Sequence, residues 1–280
     1  MTDLGLRRAR MRGRAERLPR PHTGSRISAG TVLAPLGAFI ALIMLWQAVA
    51  AAELVPSDIL PAPTRVVGAA AAEREALLRH TAPTLLATLL GFALSVTVAF
   101  VTATVLDFSR ALRQAILPLL IVSQTLPLIA LAPLVVLWFG FGLLPKVLLV
   151  AFVTFFPMVV GFMRGFESAD PQAEQLLASM GAGRRVVFRL VRLPAATASF
   201  FSALRISITY AVVGAIFAEY AGAVAGLGVY MQSAKNVFRT DLVLAAVAVS
   251  TVLTLVLYSV AVALERFCGP WLRIEMARGK

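Results

Sequence analysis

Glu219 and Tyr220, followed at short spacing by Gly222, Gly226, Leu227 and Gly228, stand at the end of an apolar run. A carboxylate at that depth is costly unless it meets water or a partner, and the glycines permit a tight re-entrant turn. Glu219 is therefore a candidate gate or binding residue, with a plain interfacial position as the alternative. A second polar group, Ser123, Gln124 and Thr125, lies among Pro118, Pro127 and Pro133 in another apolar run. Proline removes backbone hydrogen bonds, and bare carbonyls at membrane depth are tolerated only where protein or a water-filled cavity satisfies them. Ser123, Gln124, Thr125 and Pro127 suit a pathway for a polar, uncharged or weakly charged solute. They suit hydrogen-bonded packing between helices equally well.

Other chemistry is thinly supplied. Cys268 is the single cysteine, which excludes an internal disulfide and a cysteine metal cluster, and His22 and His80 are too few for a metal site and read as solvated residues. No G-x-x-x-x-G-K-[ST] loop is present to cradle phosphates. A membrane-embedded enzyme would need His, Asp or Cys clustered inside the bilayer, and none is found.

The loop 166–194, FESADPQAEQLLASMGAGRRVVFRLVRLP, has a different character. Asp170 can cap a helix that begins at Pro171, and Gly181 can end it. Ala173, Leu176, Leu177 and Met180 recur at helical spacing. A second short helix carries Val186, Val187, Leu190 and Val191 on one side and Arg184, Arg185, Arg189 and Arg192 around the other, and Pro194 is expected to stop it. Such an amphipathic pair suits a docking surface, or packing onto its own membrane helices.

These groups must be positioned by membrane helices. The 280 residues are 59% hydrophobic and 14% charged, with a mean hydropathy of +0.86, which is not a soluble composition. Six runs can span a bilayer: about 30–52, 83–106, 115–139, 146–164, 196–218 and 242–264. Arg205 is the one charge clearly inside a span, and Lys146 sits at a boundary. With both ends cytoplasmic, 19 of the 26 Lys and Arg residues fall in the tails and in the loops near 107–114 and 164–194, and six fall outside. That asymmetry is the positive-inside rule, so the net charge of +12 orients a membrane protein and does not mark nucleic-acid binding. The Arg-rich segment 1–29 reads as a disordered cytoplasmic tail, and 267–280 as a second cytoplasmic tail. Arg7 and Arg8 are not a twin-arginine signal, because the following apolar run is too long and five more spans follow. Between the first two spans, Pro56, Pro61 and Pro63 precede a surface helix expected over 64–79.

Gly181, Val191, Leu193 and Pro194 match the end of a pattern that runs Glu-Ala-Ala, three residues, Gly, nine residues, an aliphatic residue, one residue, Leu-Pro. The pattern resembles the cytoplasmic coupling loop of ABC importer permeases. Here the Glu-Ala-Ala positions hold Gln175, Leu176 and Leu177, and Glu174 stands one place early. Leu60-Pro61-Ala62-Pro63, Trp138-Phe139-Gly140-Phe141-Gly142, Phe155-Phe156-Pro157, Ala218-Glu219-Tyr220 and Phe238-Arg239-Thr240-Asp241 resemble the branch serving nitrate, sulfonates, taurine and thiamine-pyrimidine precursors.

The resemblance implies an all-α, six-helix type I permease domain over 30–266 that imports a small polar solute, a pyrimidine precursor or similar heterocycle before a sulfonate, taurine or nitrate. It implies no ATPase site and no cofactor in this chain, with ATP and Mg used by a partner. The implied partners are two ATP-binding subunits, a second permease copy and an extracytoplasmic solute-binding protein, within a lipid bilayer. Gln175, Gly181, Val191, Leu193 and Pro194 are the implied coupling residues. A secondary transporter remains the alternative class; it would need a midplane coupling site and internal repeats, and neither is visible.

Overall fold

The computed structural model describes residues 29–278, with side chains over 37–268; Arg7, Arg8 and His22 lie outside the described residues. Every regular element among them is helical: α1 Ala29–Ala51, α2 Pro63–Ala72, α3 Arg74–Phe108, α4 Arg110–Ser123, α5 Leu128–Phe139, α6 Leu143–Glu167, α7 Pro171–Ser179, α8 Arg184–Val187, α9 Leu193–Ala195, α10 Thr197–Gly222, α11 Leu227–Asn236 and α12 Thr240–Arg278. Helices α3, α6, α10 and the 240–268 part of α12 are each long and apolar enough to cross a membrane. The pair α4 and α5 passes as a fifth crossing broken by a 100° bend, and α1 is a further apolar helix, so the arrangement is compatible with six spans.

The core forms where α6 lies between α3 and α10. Close approach there depends on glycine. A Cβ at Gly165 would stand 2.7 Å from the Ala196 backbone, one at Gly161 would strike Ala203, and one at Gly91 of α3 would stand 2.5 Å from the Val150 side chain. Small residues let helix backbones meet where lipid offers no hydrophobic drive to press them together. Phe162, Phe166 and Phe188 stack or meet edge to face at 5.0–6.3 Å, with Phe100, Phe108 and Phe200 around them, and they fill the end of the bundle that carries loop 166–194. Apolar side chains on α1 and α12, such as Phe39, Leu42, Leu255 and Val256, remain exposed, as lipid-facing residues must.

The structure departs from the sequence reading at several helix ends. The surface helix expected over 64–79 stops at Ala72, and Arg74–Arg79 form the first turns of α3. At 35 residues, α3 is about 50 Å long, well beyond a hydrocarbon core of about 30 Å, so its charged first turns project past the apolar layer. Helix α12 also runs unbroken through the boundary expected at 266.

Pro194 does not stop the second loop helix. A π-turn at Phe188–Arg192, in which the Leu193 N–H reaches the Phe188 carbonyl, carries the chain into α9, and α10 follows at Thr197. A wider turn accommodates a residue that lacks an N–H and whose ring crowds the preceding turn. It also rotates the faces: Phe188 is buried and Val187, Val191 and Arg192 are half-buried, while Val186 and Leu190 point outward.

Candidate functional site

At the loop end, Asp170 Oδ1 accepts from the Gln172 N–H at 2.9 Å and caps α7, with Pro171 at its first position. Gly181 has φ +81°, and the Ala182 N–H reaches back to the Leu177 carbonyl at 3.0 Å, so the helix closes through a left-handed glycine. The apolar stripe expected on α7 is divided. Ala173 and Leu177 turn inward, whereas Leu176 is 62% and Met180 74% exposed.

Arg192 fixes this helix pair to the bundle. Its Nε and Nη2 donate to the two Glu174 carboxylate oxygens at 2.7 and 3.0 Å, and its Nη1 donates to Asp107 at the end of α3 at 2.8 Å. The fork geometry of guanidinium matches a carboxylate, and a second carboxylate takes the remaining donors. Hydrogen bonding to Glu174 holds the Arg192 guanidinium above its ordinary value against partial desolvation, with the Asp107 and Glu174 charges adding to the effect. Nearby, Phe188 packs on Phe108 and Phe166, the Arg184 guanidinium lies 5.9 Å from the Phe108 ring centre, and Arg113 pairs with Glu167.

Between α7, α8 and the end of α3 lies a notch of about 300 Å³ whose walls include Gln175, Ala178 and Arg184. Of the five residues expected to couple, Gln175 is in this notch and Gly181 makes the turn beside it. Val191, Leu193 and Pro194 instead form the connector into α10. Glu174, Asp107 and Phe188 escaped the sequence reading. Only the misplaced carboxylate of Glu174 hinted at the first.

At the opposite end, Glu219 is 1% exposed and holds the turn that follows it. Its carboxylate accepts from the Thr84 hydroxyl and from the Gly228 N–H, both at 2.8 Å, and Thr84 Oγ1 in turn accepts from the Leu227 N–H at 2.8 Å. His80 Nδ1 lies 2.9 Å from the Gly226 carbonyl and 3.1 Å from its N–H, and it donates or accepts according to tautomer. The Lys146 ammonium donates to the Ala225 carbonyl at 2.9 Å. His80 is thus a loop ligand and not a free solvated side chain, and the boundary lysine is buried. The glycines are required here: Gly226 has φ +144°, and a Cβ on it would strike the Glu219 carboxylate.

In the broken crossing, Ser123 Oγ donates to the Leu120 carbonyl at 2.7 Å and Thr125 Oγ1 to the Val122 carbonyl at 2.8 Å, while Gln124 and Pro127 are exposed. Both hydroxyls satisfy the end of α4, where the chain turns toward Pro127. Neither bonds to another helix among the described residues.

The two ends thus present a braced helix pair and a clamped glycine turn, joined by crossing helices. Residues 91–273 match the family described as binding-protein-dependent transport system inner membrane component. The chain is 32% identical over 240 residues to the formylaminopyrimidine transport permease protein ThiX of Halalkalibacterium halodurans, covering 85% of this chain and 96% of the relative. It is 35% identical over 232 residues to the riboflavin transport system permease protein RibX of Chloroflexus aurantiacus, covering 82% and 87%. To the taurine transport system permease protein TauC of Escherichia coli it is 29% identical over 243 residues, covering 84% and 88%. The chain belongs to the family of binding-protein-dependent inner membrane components, the permeases of ABC importers, in the branch of nitrate, sulfonate, taurine and thiamine-precursor transport.

Proposed function

We propose that this permease passes a small polar heterocycle, a pyrimidine precursor of thiamine or a similar molecule, across the cell membrane. Loop 166–194 takes the force from ATP-binding subunits that use ATP and Mg, and an extracytoplasmic solute-binding protein delivers the solute at the Glu219 end. Two copies of the chain form the pathway, with both termini in the cytoplasm, the 1–29 and 267–280 segments as tails and 30–266 as the permease domain. The supporting observation is the α7–α9 helix pair, which lies outside every crossing helix, is braced by Arg192 and still exposes Leu176, Met180 and Leu190. Apolar side chains presented beyond the lipid layer by a rigid support suit a protein partner. Closure of the ATP-binding subunits then moves the pair as a body and tips the crossings between inward-open and outward-open states. The substrate class rests on the formylaminopyrimidine and riboflavin permeases among the relatives. Taurine is the second reading, on the 29% identical relative.

Gly181→Val tests the coupling role. A Cβ there meets open space, so the strain comes from φ +81° alone and the crossings stay intact. The expected product is an inserted, monodisperse permease that loses its ATP-binding subunits or solute-stimulated ATP hydrolysis in the purified complex. Gln175→Ala should be milder, since it removes one exposed amide. Wild-type retention and hydrolysis in Gly181→Val would return the loop to a packing role.

A further inference from the structure

The carboxylates around the exposed face of loop 166–194 are already engaged. Glu174 and Asp107 are held by Arg192, Glu167 by Arg113, and Asp170 by the Gln172 N–H. The first position of the Glu-Ala-Ala pattern carries the neutral, exposed Gln175. In contrast, Arg184, Arg185 and Arg189 are exposed and form no ion pair among the described residues. The same helix pair exposes Leu176, Met180 and Leu190, and Arg184 shares the notch wall with Gln175 and Ala178. The helix pair therefore presents exposed apolar side chains together with three unpaired arginines, and Asp170, at the cap, is its one carboxylate outside an ion pair among the described residues.

We propose that the docking groove on this permease's ATP-binding subunit is apolar and rimmed by Asp or Glu, so that the arginines of α8 and the following π-turn supply the charged contacts. This rests on the reading of the loop as the coupling element and adds the sign of the partner's charge. A basic rim opposite three unpaired guanidinium groups would repel, and a neutral rim would leave them unpaired on docking. Complementary rims speed encounter and set register, and like charges across an interface oppose it. Glu174 one place early follows from the same arrangement: its carboxylate is used inside the permease to brace α7, and the position that faces the partner is left uncharged.

Gln175→Glu gives the proposal a sign to be read. The substitution is exposed on α7, shares the notch with Arg184 and Arg192, and replaces no residue of the Asp170 cap, the Gly181 turn or the Arg192 brace. It places negative charge where an acidic rim would repel it and offsets Arg184. The test uses the full permease with its own ATP-binding subunits in nanodiscs, measuring subunit affinity and its salt dependence. Gln175→Glu should weaken retention by roughly threefold at low salt, the size of an exposed charge contact, with the difference fading as salt rises. The triple variant Arg184→Glu, Arg185→Glu, Arg189→Glu should lose retention by tenfold or more, and the triple lysine variant should restore most of it. Tighter retention by Gln175→Glu overturns the proposal, because it would mean a basic rim.

Anionic lipid headgroups are the competing partner for the arginines. Under the proposal, the triple-Glu loss is equal in nanodiscs of phosphatidylcholine alone and with phosphatidylglycerol; a loss confined to the anionic discs overturns it. Gly181→Val in the same assay separates the two levels. If it releases the ATP-binding subunits while the charge variants bind as wild type, the loop couples but the rim is not acidic. If it too binds and hydrolyses as wild type, the coupling role itself fails.

Discussion

At the scale of single residues, the informative groups are those whose partners lie far away in the chain. Thr84 stands between Glu219 and Leu227, serving as donor to one and acceptor from the other. Thr84→Val deletes both contacts and leaves the Leu227 N–H buried without an acceptor, at a cost of about 1–3 kcal/mol. Glu219→Leu strands the Gly228 N–H and the Thr84 hydroxyl in the same way. Either variant should expose the amides of residues 226–228 to hydrogen exchange at least tenfold faster than wild type, while the α7 amides keep their protection. Unchanged exchange at 226–228 would show that the turn is held by His80 and Lys146 without the carboxylate. The sequence displayed Glu219 and its glycines as a unit but could not show that Thr84, His80 and Lys146 converge on them. Those partners lie on α3 and α6, and nothing local links a threonine to a carboxylate 135 positions away. For the same reason Asp107, 85 positions before Arg192, was illegible.

At the scale of elements, local signals performed well where the controlling chemistry is local. The start of α7 follows from Asp170 and Pro171 and its end from Gly181, because caps and left-handed turns are decided within a few residues. Pro194 misled because proline breaks a regular α-helix, and the chain had changed to a π-turn before reaching it. The 100° bend was only partly legible: the prolines marked an interrupted crossing, but its angle depends on how α5 rests against α6 and α10.

Glycine spacing on α6 gives a test at this scale. Gly161 and Gly165 present one face to α10, so Gly165→Val must push the Ala196 backbone away. Overpacking of this kind costs about 1–3 kcal/mol or more. Gly214→Ala supplies the control: its new methyl would lie 3.5 Å from Val150 Cα, an ordinary contact, and alanine is the better helix former. Thermal unfolding in detergent should fall by several degrees for the first and stay level or rise for the second. A similar fall in both would mean that α6 and α10 tolerate no added volume anywhere along their contact.

For the molecule as a whole, the proposed orientation, supported by the charge asymmetry, assigns the two ends different surroundings. With Cys268 replaced by Ser, a cysteine introduced at the exposed Ser179 should react only with reagent supplied from the cytoplasm, and one at Val224, 92% exposed, only from outside. Labelling of Ser179→Cys from outside would invert the arrangement and remove the loop from reach of any ATP-binding subunit.

The same whole-molecule view constrains the solute. Away from the ends of the crossing helices ionisable groups are few: Arg205 pairs with Glu265 at 3.1 Å, Glu219 holds the glycine turn, and Lys146 is spent on the Ala225 carbonyl, while Arg164 stands exposed near the end of α6. A charged solute would cross without a fixed counter-charge among the engaged groups, and an unpaired charge in a low-dielectric path is costly. A neutral heterocycle with several hydrogen-bonding edges can instead exchange partners with hydroxyls, amides and the carbonyls freed by Pro127 and Pro133. In proteoliposomes carrying the complete importer, uptake of a neutral aminopyrimidine should therefore exceed uptake of an alkyl sulfonate by at least tenfold when each is delivered by its own binding protein. Arg205→Gln should leave that ratio unchanged, since the arginine is already paired with Glu265. Preferential sulfonate uptake that Arg205→Gln abolishes would show that the Arg205 to Glu265 pair opens during transport and would reassign the solute to the anionic members of the branch.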